Sequence, residues 1–309
     1  MYLNFKEGYE QYLIYIEHRM KPQSKKDLKE KFENKILPFW KDYNIYDIKE
    51  LDYMKWQNEI ERFNYSNNYK SNLHYLMSGF LTYCVTYHEL RYNVAKKVGN
   101  FKMKNVKIKR DFYTFKEFKK FIKKVDNPII NLYFKTLYLY GARPGEGMAF
   151  RFSDLDDDRI LHVNNTISEH TINGERKLDT PKTMESVRNW KIGRKMYKEF
   201  MNLKKLYINE YGKEDYDYYI FGGIKPLAPT TINRHKKRAC EKAKIRPIEL
   251  RAFRRSNASL LYHLHIPIQI IKQRLGHSNI NTTMKFYVQV YENKEKRVTR
   301  TLNLIRLLF

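Results

Sequence analysis

Residues 246–291 read RPIELRAFRRSNASLLYHLHIPIQIIKQRLGHSNINTTMKFYVQVY. Adjacent arginines at 254 and 255, a Gly-His pair at 276 and 277 and a tyrosine at 287 crowd around an apolar helical pattern. Packing alone does not require that mixture. The stretch therefore reads as a place where chemistry and core-building share one segment, and the rest of the chain is expected to supply the other half of a site.

The chain has 309 residues, a length that suggests two domains, and 42% hydrophobic content with 15% aromatics is ample for sizeable cores. There are 60 Lys and Arg against 34 Asp and Glu, a net charge of +26. Solubility needs far less, so the excess points to a polyanion such as nucleic acid or an anionic membrane surface. It is unevenly placed: positions 1–100 hold 16 basic and 13 acidic residues, and positions 101–309 hold 44 and 21. No run of eighteen apolar residues occurs and the opening MYLNFKEG lacks a basic n-region and an apolar h-region, so the expected location is the cytoplasm, at the nucleoid, with no membrane partner. Cys84 and Cys240 stand far apart without a CxxC partner, which indicates neither a disulfide framework nor a zinc site. They read as ordinary core or surface thiols.

The first hundred residues alternate helical patterns with breakers. Phe5, Tyr9, Tyr12, Leu13 and Ile16 form one pattern, ended by the segment around Pro22; Leu28, Phe32, Ile36 and Leu37 form another, stopped by Pro38. A third uses Leu51, Met54, Trp56 and Ile60, and a fourth Tyr69, Leu73, Leu76, Phe80, Leu81 and Val85. These predict a helical domain over 1–98 without strands. Residues 99–110, GNFKMKNVKIKR, hold Lys102, Lys104, Lys107, Lys109 and Arg110 and no acid. They predict an extended linker, either a solvated tether or a basic strap across a phosphate backbone.

From 111 onward, Thr114 can cap a helix with Glu117 at the capping-box position, and Pro128 to Tyr140 is apolar almost all round, hence buried. Alternating runs between 160 and 193, broken by Asn173-Gly174, predict a small antiparallel sheet with Lys182 in the turn before its last strand. A helix of about 195–211 follows, then one capped near Thr230 whose polar face carries Arg234, Lys236, Lys237, Arg238 and Lys242 against the single acid Glu241. A charged face is ordinarily just solvated; five bases in an already basic region favour DNA contact. The fold class is mainly α with a small antiparallel β-sheet.

Four phrases resemble the tyrosine recombinases, the phage-integrase family. LYLYGARPGEGMAF resembles the family's Gly-x-Arg-x-x-Glu motif, placing an arginine at Arg143 and its acidic companion at Glu146. TPKTMESVRNWKI resembles the hairpin motif that supplies a lysine, Lys182; FRRSNASLL resembles the second-arginine motif; LGHSNINTTMKFY is very similar to the closing phrase from Leu-Gly-His to tyrosine, giving His277 and Tyr287. The last is the most specific, because it matches many positions at once, whereas any one of 26 tyrosines would mean nothing. The resemblance implies a helical core-binding domain, then a catalytic domain over 111–309 with a tail from about 288.

Two registers compete for the second arginine. Arg254 continues through Arg255, Ser256 and Asn257 into Ala-Ser-Leu-Leu without a gap, whereas Arg251 would demand three inserted residues, rotating the helix's apolar face away from the core. Arg254 is therefore taken. Arg251 then stands where the family has a histidine and Arg255 where another histidine follows the arginine. A guanidinium cannot act as general base, so Arg251 is expected to donate to phosphate and to pair with Glu146.

The resemblance further implies attack of Tyr287 on a DNA phosphodiester to give a 3′-phosphotyrosyl link and a free 5′-hydroxyl. Arg143 and Arg254 meet charge on the phosphate, Lys182 protonates the leaving oxygen and His277 adds a hydrogen bond. It implies no metal and no other cofactor, the arginines supplying the charge that Mg²⁺ supplies in many phosphoryl transfers. The implied partners are double-stranded DNA at recombination sites, a homo-tetramer formed on it and a directionality factor; integration and excision of a mobile element is the implied role. A Xer-like resolvase, a type IB topoisomerase and an inactive DNA-binding relative remain alternatives. So do docking of the apolar tail (Leu302, Leu304, Ile305, Leu307, Leu308, Phe309) on its own domain or on a neighbour's. Many integrases carry a strand-rich arm-binding domain before the helical one; this chain opens on the helical pattern, leaving open a simple recombinase or a piece of a longer one.

Overall fold

Asn4 starts the first helix, accepting the Lys6 N–H on its side chain at 2.9 Å, and α1 runs Phe5–Tyr15. The computed structural model describes residues 1–102, 111–168, 178–179 and 187–276, in two units, Met1–Ile108 and Lys109–Phe309.

In the first unit α2 spans Pro22–Lys31, so Pro22 opens a helix at a position where its missing N–H is no loss. Pro38 does not stop the next helical stretch as expected. The chain widens into a π-helical turn, Phe32–Ile36, and continues as α3, Leu37–Trp40, with Pro38 in its first turn. A proline inside a helix removes one N–H and pushes its ring at the carbonyl four residues back; the wider turn absorbs both and leaves Phe32, Ile36 and Trp40 in the core. α4, Glu50–Glu61, buries Tyr53, Trp56 and Ile60, while Leu51 and Met54, expected inside, face solvent. The three- and four-residue spacing of the first set keeps the larger rings on one stripe. α5, Asn67–Tyr87, crosses the unit and buries Leu73, Met77, Phe80, Leu81 and Cys84; α6, Val94–Val98, follows. Burial pushes the Cys84 thiol up to about 12. Residues 99–101 pack on the first unit: Phe101 is buried against Trp56, ring centroids 6.0 Å apart, and Gln57 Nε2 donates to the Gly99 carbonyl at 2.9 Å.

The second unit opens with residues 111–113 fastened to a later helix and the turn before it. Asp111 is ion-paired with Arg255, the Tyr113 N–H donates to Ser256 Oγ at 2.9 Å, and the Tyr113 hydroxyl donates to the Arg246 carbonyl at 2.6 Å. Thr114 and Glu117 form the predicted capping box of α7, Phe115–Ile122. α8 runs Pro128–Tyr140, as its uniform apolarity predicted, and stops at Gly141, which is left-handed at φ 72°. α9, Pro144–Ala149, is a short buried helix. Strand β1, Ile160–Val163, pairs antiparallel with β4, Arg188–Lys191, and β2, Thr166–Ile167, pairs with β3, Leu178–Asp179, which gives the predicted small antiparallel structure as two ladders. α10, Arg194–Tyr211, and α11, Pro229–Ala243, follow; Pro229 occupies the first turn of α11 and Thr230 lies inside the helix, not at its cap. α12, Leu250–His263, and α13, Ile268–Leu275, complete the described part. Tyr133, Phe134, Leu137 and Tyr138 of α8 sit at the centre of the core, with Trp190, Phe221 and Phe253 in the same cluster.

Candidate active site

The end of α8 determines where the site forms. Asn257, buried on α12, donates both amide hydrogens to the Tyr138 and Leu139 carbonyls at 2.9 Å each, which satisfies groups a helix terminus would leave orphaned. A Cβ on Gly141 would lie 2.5 Å from Leu275 Cδ2 and 2.8 Å from Asn257 Oδ1, so only glycine lets α12 and α13 close on this turn. At Gly145 a Cβ would meet the Ile167 carbonyl oxygen at 2.5 Å, which brings β2 against the start of α9.

That clamp brings Arg143, Glu146 and Arg254 within electrostatic reach of one another. Glu146 is 2% exposed and its carboxylate accepts four hydrogen bonds: from the Arg143 N–H at 2.7 Å, Arg143 Nη1 at 2.7 Å, Arg188 Nη1 at 3.0 Å and Arg188 Nη2 at 2.7 Å. Arg254, 8% exposed, donates to the Gly141 carbonyl at 2.9 Å and to the Leu275 carbonyl. Arg143 remains partly exposed and also donates to the Gly276 carbonyl at 3.2 Å. Two guanidiniums thus bond one carboxylate and a third stands within reach of its charge, and the excess of positive charge is what an incoming anion would meet.

The electrostatics follow the same arithmetic. Burial pushes the Glu146 carboxyl up, but the hydrogen bonds and charge of Arg188, with the charges of Arg143 and Arg254, outweigh it and hold the group below its ordinary value. Burial, then the charges of Arg143 and Arg188, push the Arg254 guanidinium well below its ordinary value, with Glu146 pulling the other way. A guanidinium does not lose its proton in a protein. The direction therefore measures how poorly compensated this cation is.

Among the residues expected here, Arg143, Glu146 and Arg254 come together. Arg251 does not partner Glu146: it lies exposed in the first turn of α12, and Arg188 and Arg143 fill the carboxylate. Three positions on, Arg254 faces inward, because a step of three residues returns almost to the same face yet turns far enough to separate rim from interior. Arg255 is the partner of Asp111. Lys182, His277 and Tyr287, and Lys104, Lys107, Lys109 and Arg110, lie outside the described residues; Lys102 is exposed. On α11, Arg234, Lys237, Arg238 and Lys242 are exposed and Lys236 is half-buried; Lys242 pairs with Asp126 at 2.6 Å.

Sequence reasoning missed Arg188. The signal was present in RNWK, whose alternation puts Arg188 on the same inward face as Trp190. A cation at an inward strand position needs a buried anion, and Glu146 was the acid already singled out.

The comparisons agree with this architecture. Residues 112–294 match the model of the phage integrase family, and residues 4–60 match that of the phage integrase N-terminal SAM-like domain. The chain is 29% identical over 301 residues to the ICEBs1 integrase of Bacillus subtilis (strain 168), covering 94% of this chain and 80% of that one. Its fold is similar to that of the Tn1549 transposon integrase in complex with transposon right end DNA, with a TM-score of 0.74 at 18% identity over 95% of this chain and 99% of that chain. It is also similar to a lambda integrase tetramer bound to a Holliday junction, with a TM-score of 0.67 at 17% identity over 92% and 77%. A model that spans most of the chain, over a fold of the same kind, means that this chain belongs to the phage integrase family, the tyrosine-type site-specific recombinases.

Proposed function

We propose that the chain integrates and excises a mobile element by cutting and rejoining double-stranded DNA at specific sites. The observation that carries the reading is the cluster formed by the buried Arg188, Arg254 and Glu146 with the partly exposed Arg143. In the proposed step the Tyr287 hydroxyl gives its proton to solvent water as its oxygen attacks the scissile phosphorus; the new oxygen–phosphorus bond forms as the bond to the 5′-oxygen breaks. Arg143 and Arg254 hold the non-bridging oxygens, where charge builds, and His277 and Arg251 donate further hydrogen bonds. Lys182 gives its proton to the departing 5′-oxygen. Attack on the phosphotyrosine by the 5′-hydroxyl of the partner strand forms the new phosphodiester and releases Tyr287, which takes back a proton, so the bond energy is conserved.

The first unit acts as core-binding domain, and the exposed cations of α11 with the 99–110 strap engage phosphates. Four copies assemble on paired sites at the nucleoid, as a lambda integrase tetramer does on a Holliday junction, and a directionality factor biases excision. The relatedness to the ICEBs1 integrase supports a mobile element as the substrate. Suicide DNA from the junctions of the source element tests the reading: the chain should form a covalent adduct, and Tyr287→Phe should bind the DNA and form none. An adduct that persists in Tyr287→Phe overturns the assignment.

A further inference from the structure

Arg188 is engaged on three sides. Its two terminal nitrogens grip the Glu146 carboxylate, its Nε donates to the Arg274 carbonyl at 3.1 Å, and its guanidinium lies over the Trp190 ring, 4.7 Å from the centroid. Trp190 Nε1 donates to the same Arg274 carbonyl at 3.1 Å. In sequence, β4 directly follows the Lys182 segment, α9 follows Arg143, and Arg274 precedes Leu275-Gly276-His277. One side chain thus ties together β4, α9 and the end of α13, which adjoin in sequence the proposed acid, the first arginine and the histidine. A mere packing role would be served more cheaply by an apolar residue beside Trp190, since a buried ion pair gains little over a well-packed hydrophobic one.

We infer that Arg188 is a positioning residue for strand transfer: by holding Glu146 it sets the Arg143 guanidinium, and through Arg274 it registers β4 against the end of α13. Glu146 presents two oxygens shared between two arginines. Without Arg188 the carboxylate is free to turn toward Arg143, and a shift of about 1 Å at a phosphate-binding group is worth about a hundredfold in rate. Arg188 itself is 9% exposed and does not reach the phosphate in this scheme.

The inference rests on the proposed strand-transfer reading, and single-turnover cleavage of suicide DNA separates the two. No adduct from the unaltered chain overturns that reading; an adduct from it with Arg188 variants undiminished overturns this inference alone. Arg188→Ala is expected to keep DNA affinity and its salt dependence, to cleave about a hundredfold more slowly, and to lose activity at a higher pH on the acid side, because Glu146 has lost its main partner. Arg188→Lys should recover part of the rate. In a Glu146→Gln background Arg188→Ala should cost much less than in the unaltered chain. Equal losses in both backgrounds, or an unshifted acid limb, overturn the inference. If Arg188→Ala does not fold, Arg188→Lys decides by the same rate and pH profile. Failure of both to fold shows a structural residue only and also overturns it.

Discussion

The two units bury charge in opposite ways. In the first, Lys70 meets Glu61 one to one at 2.5 Å, with Glu61 open to solvent, and the core proper is a mass of rings including Phe5, Phe32, Trp40, Tyr53, Trp56 and Phe80. In the second, the fully buried Glu146 is hydrogen-bonded by Arg143 and Arg188, and Arg254 lies buried within reach of its charge. Neutral pairing at a rim is cheap, whereas an interior excess of cations is costly and persists where function requires it. The contrast separates a unit whose buried cation is matched from one whose buried cations outnumber their anion.

The largest test of that contrast replaces each carboxylate by its amide. Glu146→Gln should lower the stability of the second unit by about 3–5 kcal/mol, since it leaves buried cations uncompensated. Glu61→Gln should cost about 1 kcal/mol or less, because water screens one end of the pair. Denaturant titration of both variants measures this, and similar losses would erase the distinction.

Acid should act next. The Glu146 carboxyl is held below its ordinary value of about 4.3, so its contribution is complete above that pH and is lost as pH falls through the lower folded value. Stability followed from pH 7 to strong acid should therefore show a carboxylate-dependent loss that Glu146→Gln lacks. A smaller effect belongs to α11: Lys237→Ala and Arg238→Ala should each lower the salt slope of DNA binding by about 1 and leave cleavage at saturating DNA unchanged. Lys242→Ala should do less, because Asp126 already partners it. Smallest of all, Arg251→His should keep or modestly raise cleavage; abolished cleavage with binding intact would mean that Arg251 has a role only a guanidinium can fill.

Much of this was legible from local rules. Thr114 with Glu117 marked the start of α7, and Pro128 to Gly141 bounded α8, because caps, prolines and glycines act on their immediate neighbours. Gap-free continuation from Arg254 into Ala258 placed the inward arginine, since helical phase carries over several turns. Pro38 misled because its effect depends on whether the preceding turn can widen, which neighbouring rings decide. Leu51 and Met54 misled because Tyr53 and Trp56 competed for the same interior. Arg188 escaped because strand alternation shows which way a side chain points, but its partner lies 42 residues away.

The attachment at residues 111–113 has a mechanical consequence. Asp111, Tyr113 and their partners Arg246, Arg255 and Ser256 make α12 and the turn before it the anchor for residues 111–113. Arg255 neighbours Arg254. A displacement of residues 111–113 is thus passed to the helix that bears the inward arginine, so the start of this unit and the alignment of the site are mechanically one.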